Sequence, residues 1–238
     1  MSSVKRSLKL VEIIAGSDHP PTHAELARRL AIPKSTLSQL LASLRDAGYV
    51  ALIDGRYLPG IQLISLSYRV ARKGKALMAM KPALDRLARE AAETVLLAVR
   101  VHNQFMYVEQ SPGPHPIRYA VDIGDTRPLE TTAIGRVFLA FDGAADSPNA
   151  PDSSTSPAKS AALGRVFADI RRTGYSVNEG EVVKGVHAIA APILDEAGSP
   201  IAALAVLGPR ERMADMRKRI WPLLEKTIRH IQTDILSR

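Results

Sequence analysis

The chain has 238 residues, 46% apolar and 24% charged, with no cysteine; this is a globular composition for one large or two small domains, and disulfides, cysteine-held zinc, iron–sulfur clusters and thiol nucleophiles are excluded. No run approaches the ~20 apolar residues of a membrane span and no export signal is apparent, which predicts a cytoplasmic protein. The net charge of +8 is unevenly placed: residues 1–75 hold 12 Lys/Arg against 5 Asp/Glu, and residues 76–238 hold 20 against 19, so a basic first third that meets a polyanion is joined to a near-neutral remainder.

Val4, Leu8, Val11 and Ile14 recur at helical spacing and Gly16 stops the pattern, which predicts a first helix over 4–15. After the turn Asp18-His19-Pro20-Pro21, Thr22 precedes Glu25 by three residues, a capping box that starts a short second helix near His23 and ends it near Ala31-Ile32. Pro33 suits the first turn of a third helix, whose face is Leu37, Leu40, Leu41 and Leu44 and whose end is Gly48. Tyr49–Ile53 and Arg56–Leu58 flank Asp54-Gly55, a strong hairpin signal. Three short helices and a two-stranded ribbon describe a winged helix-turn-helix, in which the third helix enters the major groove of double-stranded DNA.

The polar face of that helix carries Lys34, Ser35, Thr36, Ser38 and Gln39, where side chains reach base edges and the helix N-terminus meets phosphate. Lys5, Arg6, Arg28, Arg29 and Arg56 are expected on the DNA backbone, and Ser35, Ser38 and Gln39 are favoured for sequence readout.

Residues 61–73 continue at helical spacing as a linker helix, and a further helix runs from Leu77 to Ala92 with Pro82 near its start. Strands follow at Thr94–His102 and Gln104–Gln110, then a Pro/Gly loop at Ser111–Pro116 and a strand at Ile117–Val121. Leu129–Phe141 reads as a helix, Asp142–Ser160 as a mobile surface loop and Ala161–Gly174 as a helix. A strand starts at Tyr175, two more cover Gly185–Leu194 and Pro200–Leu207, and one closing helix spans Met213 to Leu236. The architecture is α+β, with domains at 1–60, a linker at 61–76 and an antiparallel-sheet domain at 77–238.

Ala24-Glu25-Leu26-Ala27-Arg28-Arg29-Leu30, Pro33-Lys34-Ser35-Thr36 and Gly48-Tyr49-Val50 resemble the DNA-binding half of the IclR family of bacterial transcriptional regulators. Thr132-Ala133-Ile134-Gly135-Arg136, Gly174-Tyr175, Gly185–Pro192 and Gly208-Pro209 resemble the family's C-terminal half. The resemblance implies a GAF-like effector domain for a small molecule, dimerisation through the N-terminal half and linker helix, and a tetramer as a dimer of dimers in some members. Carried over by position, the effector residues are Ala133, Ile134, Gly135, Asn178, Ala188, Ala205 and Leu207.

Members that bind small carboxylates often have cysteine at the position of Ala188 and serines at those of Ala205 and Leu207. Alanine and leucine side chains offer no hydrogen bond to a buried carboxylate, so a more apolar, aromatic effector is expected, with Arg118, Asn178, His187 or backbone N–H groups as its polar handle. The alternative is a ligand-independent repressor with a collapsed pocket. The segment 142–160 also departs from the family in being shorter and less helical. No cofactor or metal is expected: the six histidines do not cluster, and the hydrolase, metalloprotease and phosphate-loop motifs are absent, which argues against an enzyme. A coat protein that covers DNA without sequence preference would not need the large neutral domain.

Overall fold

The computed structural model describes residues 2–73, 75–141 and 157–236, and the chain divides into two compact units, Met1–Lys75 and Ala76–Arg238. In the first, α1 (Ser3–Ala15) buries Leu10 and Ile14. The capping box of α2 (His23–Leu30) is formed: Thr22 N–H donates to Glu25 Oε2 at 2.7 Å, and Glu25 N–H donates to Thr22 Oγ1 at 3.4 Å. α3 (Lys34–Asp46) turns Leu37 and Leu41 inward. Strands β1 (Val50–Ile53) and β2 (Arg56–Pro59) pair antiparallel, with Asp54 and Gly55 at φ 51° and 74°, the left-handed pair that a two-residue hairpin requires. Leu10, Ile14, Leu26, Leu37, Leu41, Val50 and Tyr57 make one core. Helix α4 (Ile61–Lys73) follows and leaves Ile61, Ile64, Leu66 and Tyr68 exposed.

The second unit is built on an antiparallel sheet of order β5-β4-β3-β8-β7-β6: β3 (Thr94–Val101), β4 (Gln104–Ser111), β5 (Thr126–Pro128), β6 (Ser176–Glu179), β7 (Val186–Leu194) and β8 (Pro200–Pro209). Side chains alternate between its faces. One face, with Val95, Leu97, Ile189, Leu204 and Val206, packs on α5 (Lys75–Ala91) and on α8 (Met216–Arg219) and α9 (Trp221–His230). The other, with Leu96, Ala98, Phe105, Tyr107, Ala190, Ala203 and Ala205, packs on α6 (Ala133–Phe141) and α7 (Pro157–Thr173).

Several elements differ from the sequence expectation. The strand expected over 117–121 is not formed; Thr126–Pro128 pairs with the outer edge of β4 instead. The helix expected from Leu129 begins at Ala133, because Thr132 Oγ1 accepts the Gly135 N–H at 2.9 Å and so caps it. Of the loop expected over 142–160, residues 157–160 are helical and 142–156 lie outside the described residues. The fourth residue before Pro222 is Lys218, whose carbonyl receives no proline N–H, and the single closing helix is accordingly broken at Ile220 into α8 and α9, with a π-helical segment at Ile231–Leu236. Helix α5 starts two residues earlier than expected, which puts Pro82 inside it.

Candidate functional site

In the first unit, α3 presents Lys34, Ser35, Ser38 and Gln39 exposed and Thr36 half-buried. Ser38 is already engaged: its hydroxyl donates to the Lys34 carbonyl at 2.9 Å and lies 3.0 Å from His23 Nε2. With the hydroxyl's only hydrogen committed, Nε2 must be the donor of the second bond. Two of the arginines expected on the DNA backbone are likewise turned to the protein itself. Arg29 donates to Ser17 Oγ at 3.0 Å and Arg56 to the Pro20 carbonyl at 2.9 Å. Among the described residues, the side chains of Lys5, Arg6, Arg28, Lys34, Ser35, Thr36 and Gln39 make no hydrogen bond or ion pair.

In the second unit, small side chains on β7 and β8 leave a narrow, partly open cavity between the sheet and the first turn of α6, about 470 Å³ when the solvent space of its mouth is counted. Of the positions expected to meet the effector, Ala133, Ile134, Asn178, Ala188, Ala205 and Leu207 line it. Three others do not. His187 neighbours Ala188 on a strand and therefore points with Ile189 to the opposite face of the sheet. Arg118 is exposed and donates to the His115 carbonyl at 3.4 Å. Gly135 packs against the chain before α6, where a Cβ would stand 2.0 Å from the Leu129 carbonyl.

The lining also contains residues the sequence reading did not reach: Leu96, Tyr107, Tyr119, Thr132, Val182, Val183 and Val186. Tyr107 is buried, and its hydroxyl pKa is pushed up to about 12, chiefly by burial and then by neighbouring Tyr119. It thus keeps its proton, and can donate a hydrogen bond, at any physiological pH. Tyr119 is held in place by its carbonyl, which accepts from Thr94 Oγ1 at 2.7 Å. Two residues before it, the Ile117 carbonyl accepts from Arg212 at 3.0 Å, and Arg212 is in turn paired with the fully buried carboxylate of Glu93.

Asn178 has no free hydrogen-bonding group to offer. Its Nδ2 donates to the Thr131 carbonyl at 3.2 Å and to Glu181 Oε2 at 2.9 Å, while its Oδ1 accepts the N–H groups of Gly180 and Glu181, both at 3.2 Å. Glu181 is also paired with Arg136 of α6. These contacts anchor the segment carrying Val182 and Val183, so Asn178 shapes the cavity mouth rather than presenting an open donor.

Residues 3–52 match the IclR helix-turn-helix domain, and residues 69–233 match the C-terminal domain of bacterial IclR transcriptional regulators. Together they define a DNA-binding transcriptional regulator with an effector-binding domain, a class of regulators rather than enzymes. The chain belongs to the IclR family. It is 28% identical over 228 residues to the transcriptional repressor IclR of Escherichia coli, covering 91% of this chain and 83% of that one. It is 25% identical over 245 residues to the glycerol operon regulatory protein of Streptomyces coelicolor, covering 99% and 96%. Its fold is similar to that of an IclR homologue from Microbacterium hydrocarbonoxydans complexed with 4-hydroxybenzoate, with a TM-score of 0.83 at 23% identity over the whole of both chains.

Proposed function

We propose that the chain acts in the cytoplasm as a homodimer, or a dimer of dimers, whose operator binding responds to a small aromatic or otherwise apolar effector carrying one polar end. In this reading residues 1–60 read DNA, 61–76 link and 77–238 sense. The exposed apolar residues Ile61, Ile64, Leu66 and Tyr68 of α4 are the surface the homodimer would cover. On DNA, Lys34, Ser35 and Thr36 at the start of α3 meet phosphate or bases and Gln39 reads a base edge, whereas Ser38, Arg29 and Arg56 act first by holding the module in shape.

One observation carries the effector class. The cavity lining is mainly apolar, with Leu96, Val182, Val183, Val186, Ala188, Ala205 and Leu207, and Tyr107, Tyr119 and Thr132 add hydroxyl-bearing side chains to it. An acid with no apolar body would leave that wall unfilled and its second oxygen poorly bonded. The relative complexed with 4-hydroxybenzoate supports the same class.

Titration calorimetry on the intact chain with 4-hydroxybenzoate and with glyoxylate as probes tests the reading. The aromatic acid should bind at least about tenfold more tightly. Equal or stronger binding of glyoxylate overturns it. On operator DNA, Lys34→Ala should weaken binding to every sequence, whereas Gln39→Ala should relax preference at one base pair.

A further inference from the structure

The second unit carries another depression at the outer edge of β6, about 750 Å³ when the solvent space of its mouth is counted. Because β6 is the last strand of the sheet, elements from both faces meet across its edge. Arg136 of α6 and Arg165 of α7 come from one side, Arg217 of α8 from the other, and all three line the cleft. Asp169 is the one carboxylate among the lining residues, and it is ion-paired with Arg172.

The partners of these arginines are weakly held. Arg217 meets Glu179 at 2.9 Å with both side chains about half exposed, and Arg136 is shared between the Val177 carbonyl at 3.2 Å and the exposed Glu181. The Arg217–Glu179 pair, exposed on both sides, contributes little and exchanges readily for a better-placed anion, whereas Arg136 is the more buried member of its pair. Among the described residues Arg165 forms no ion pair at all. Three guanidiniums around one concavity repel one another, and an anion with two negative charges would relieve that repulsion through forked hydrogen bonds.

We propose that this cleft is a second ligand site, distinct from the apolar cavity, which takes a compact dianion, either a phosphate compound or a dicarboxylate. Arg165 and Arg217 hold it directly. Arg136 joins them when it is released from Glu181.

The test is calorimetry on the full chain at constant ionic strength, with inorganic phosphate and succinate as separate probes. The tighter of the two identifies whether the site is phosphate- or carboxylate-selective. Saturable binding of one probe per chain is expected, weakened about tenfold or more in Arg165→Ala, as befits loss of a charged hydrogen-bonding group. Glu181→Gln frees Arg136 and should tighten binding about threefold, a gain that misfolding cannot imitate. Lys34→Ala should bind like wild type, which separates the cleft from the basic DNA-binding face. No saturable heat with either probe, unaltered binding in Arg165→Ala or Glu181→Gln, or loss of binding in Lys34→Ala overturns the assignment.

Discussion

On β8, Leu204 and Val206 point to one face of the sheet, and Ala203, Ala205 and Leu207 point to the other. β3 does the same with Leu97 and Leu96. The first face is filled by Leu84, Leu87, Met216 and Leu224 from the helices and by Met213 and Ile220 from the turns beside them, and the apolar cavity does not open on it. The second face is floored by alanines and keeps space under the start of α6. One set of strands therefore supplies a packed layer and a receptor layer. The period-two alternation of strand side chains lets each be tuned without touching the other.

Adjacent leucines of β3 give the sharpest test of that separation. Leu97→Ala removes a fully buried side chain from the packed face and should lower unfolding free energy by about 2–5 kcal/mol in urea titrations. Effector affinity, measured in conditions where the variant is folded, should remain at the wild-type value. Leu96→Ala, one residue earlier, widens the cavity and should change ligand affinity as well. If both variants changed affinity equally, the two faces would not be independent.

The reverse substitution tests the same idea with a smaller effect. Ala191 and Ala205 are each about 1% exposed, but Ala191 lies in the packed layer and Ala205 on the cavity wall. Ala191→Leu overfills its site and should destabilise by about 1–3 kcal/mol. Ala205→Leu has space to enter, so its melting temperature should stay closer to wild type while effector binding falls at least about tenfold. A stable Ala205→Leu protein with unchanged effector affinity would place the ligand elsewhere.

The first unit was legible because its signals are local. Thr22 and Glu25 are three residues apart, Asp54 and Gly55 are adjacent, and each sets its own backbone within a few residues. The cavity was only half legible, since its wall comes from β3, β4, β6, β7, β8, the start of α6 with the residue before it, and the segments around Tyr119 and Val182. Ala188 and His187 cannot both face it, a conflict already present in the strand period. Tyr107 could have been found by the same rule, two residues after Phe105 and on the same face. Tyr119 gave no such signal; Thr94 and Arg212, distant in sequence, hold its segment without any strand. The inward turn of Arg29 and Arg56 was also hidden, because composition reports a charge but not which carbonyl or hydroxyl captures it.

Tyr107 makes the receptor face sensitive to alkali in a way the packed face is not. Its pKa is raised from 10.0 to about 12, so the unfolded chain releases this proton first as pH rises. The stability tied to the neutral phenol is complete below pH 10 and is lost progressively as pH climbs toward 12. Tyr107→Phe should remove that part of the alkaline slope, up to about 1.4 kcal/mol per pH unit, and should weaken the aromatic acid at neutral pH. Denaturant titrations of the two proteins between pH 9 and 12 read the difference. Parallel curves would mean that the hydroxyl is solvated in the folded state.

The first unit has no such two-faced layer. Its core is a single small cluster, so helix ends carry a larger share of its stability. Thr22→Ala deletes the cap of α2 and should cost about 1 kcal/mol, the smallest of these effects. It also has a pH signature. The bonds from Thr22, its backbone N–H first, hold the Glu25 carboxyl below its usual value. A depressed carboxyl stabilises the fold above the unfolded pKa and loses that contribution as pH falls through the folded one. In the alanine variant the hydroxyl bond is gone, so the acid-side decline below pH 4.5 should flatten, and operator binding at neutral pH should persist because α3 still presents Lys34 and Gln39. Loss of DNA binding at a temperature where the variant remains folded would show that α2 sets the pose of α3 through its cap, and not only through Leu26 and Ala27 in the core.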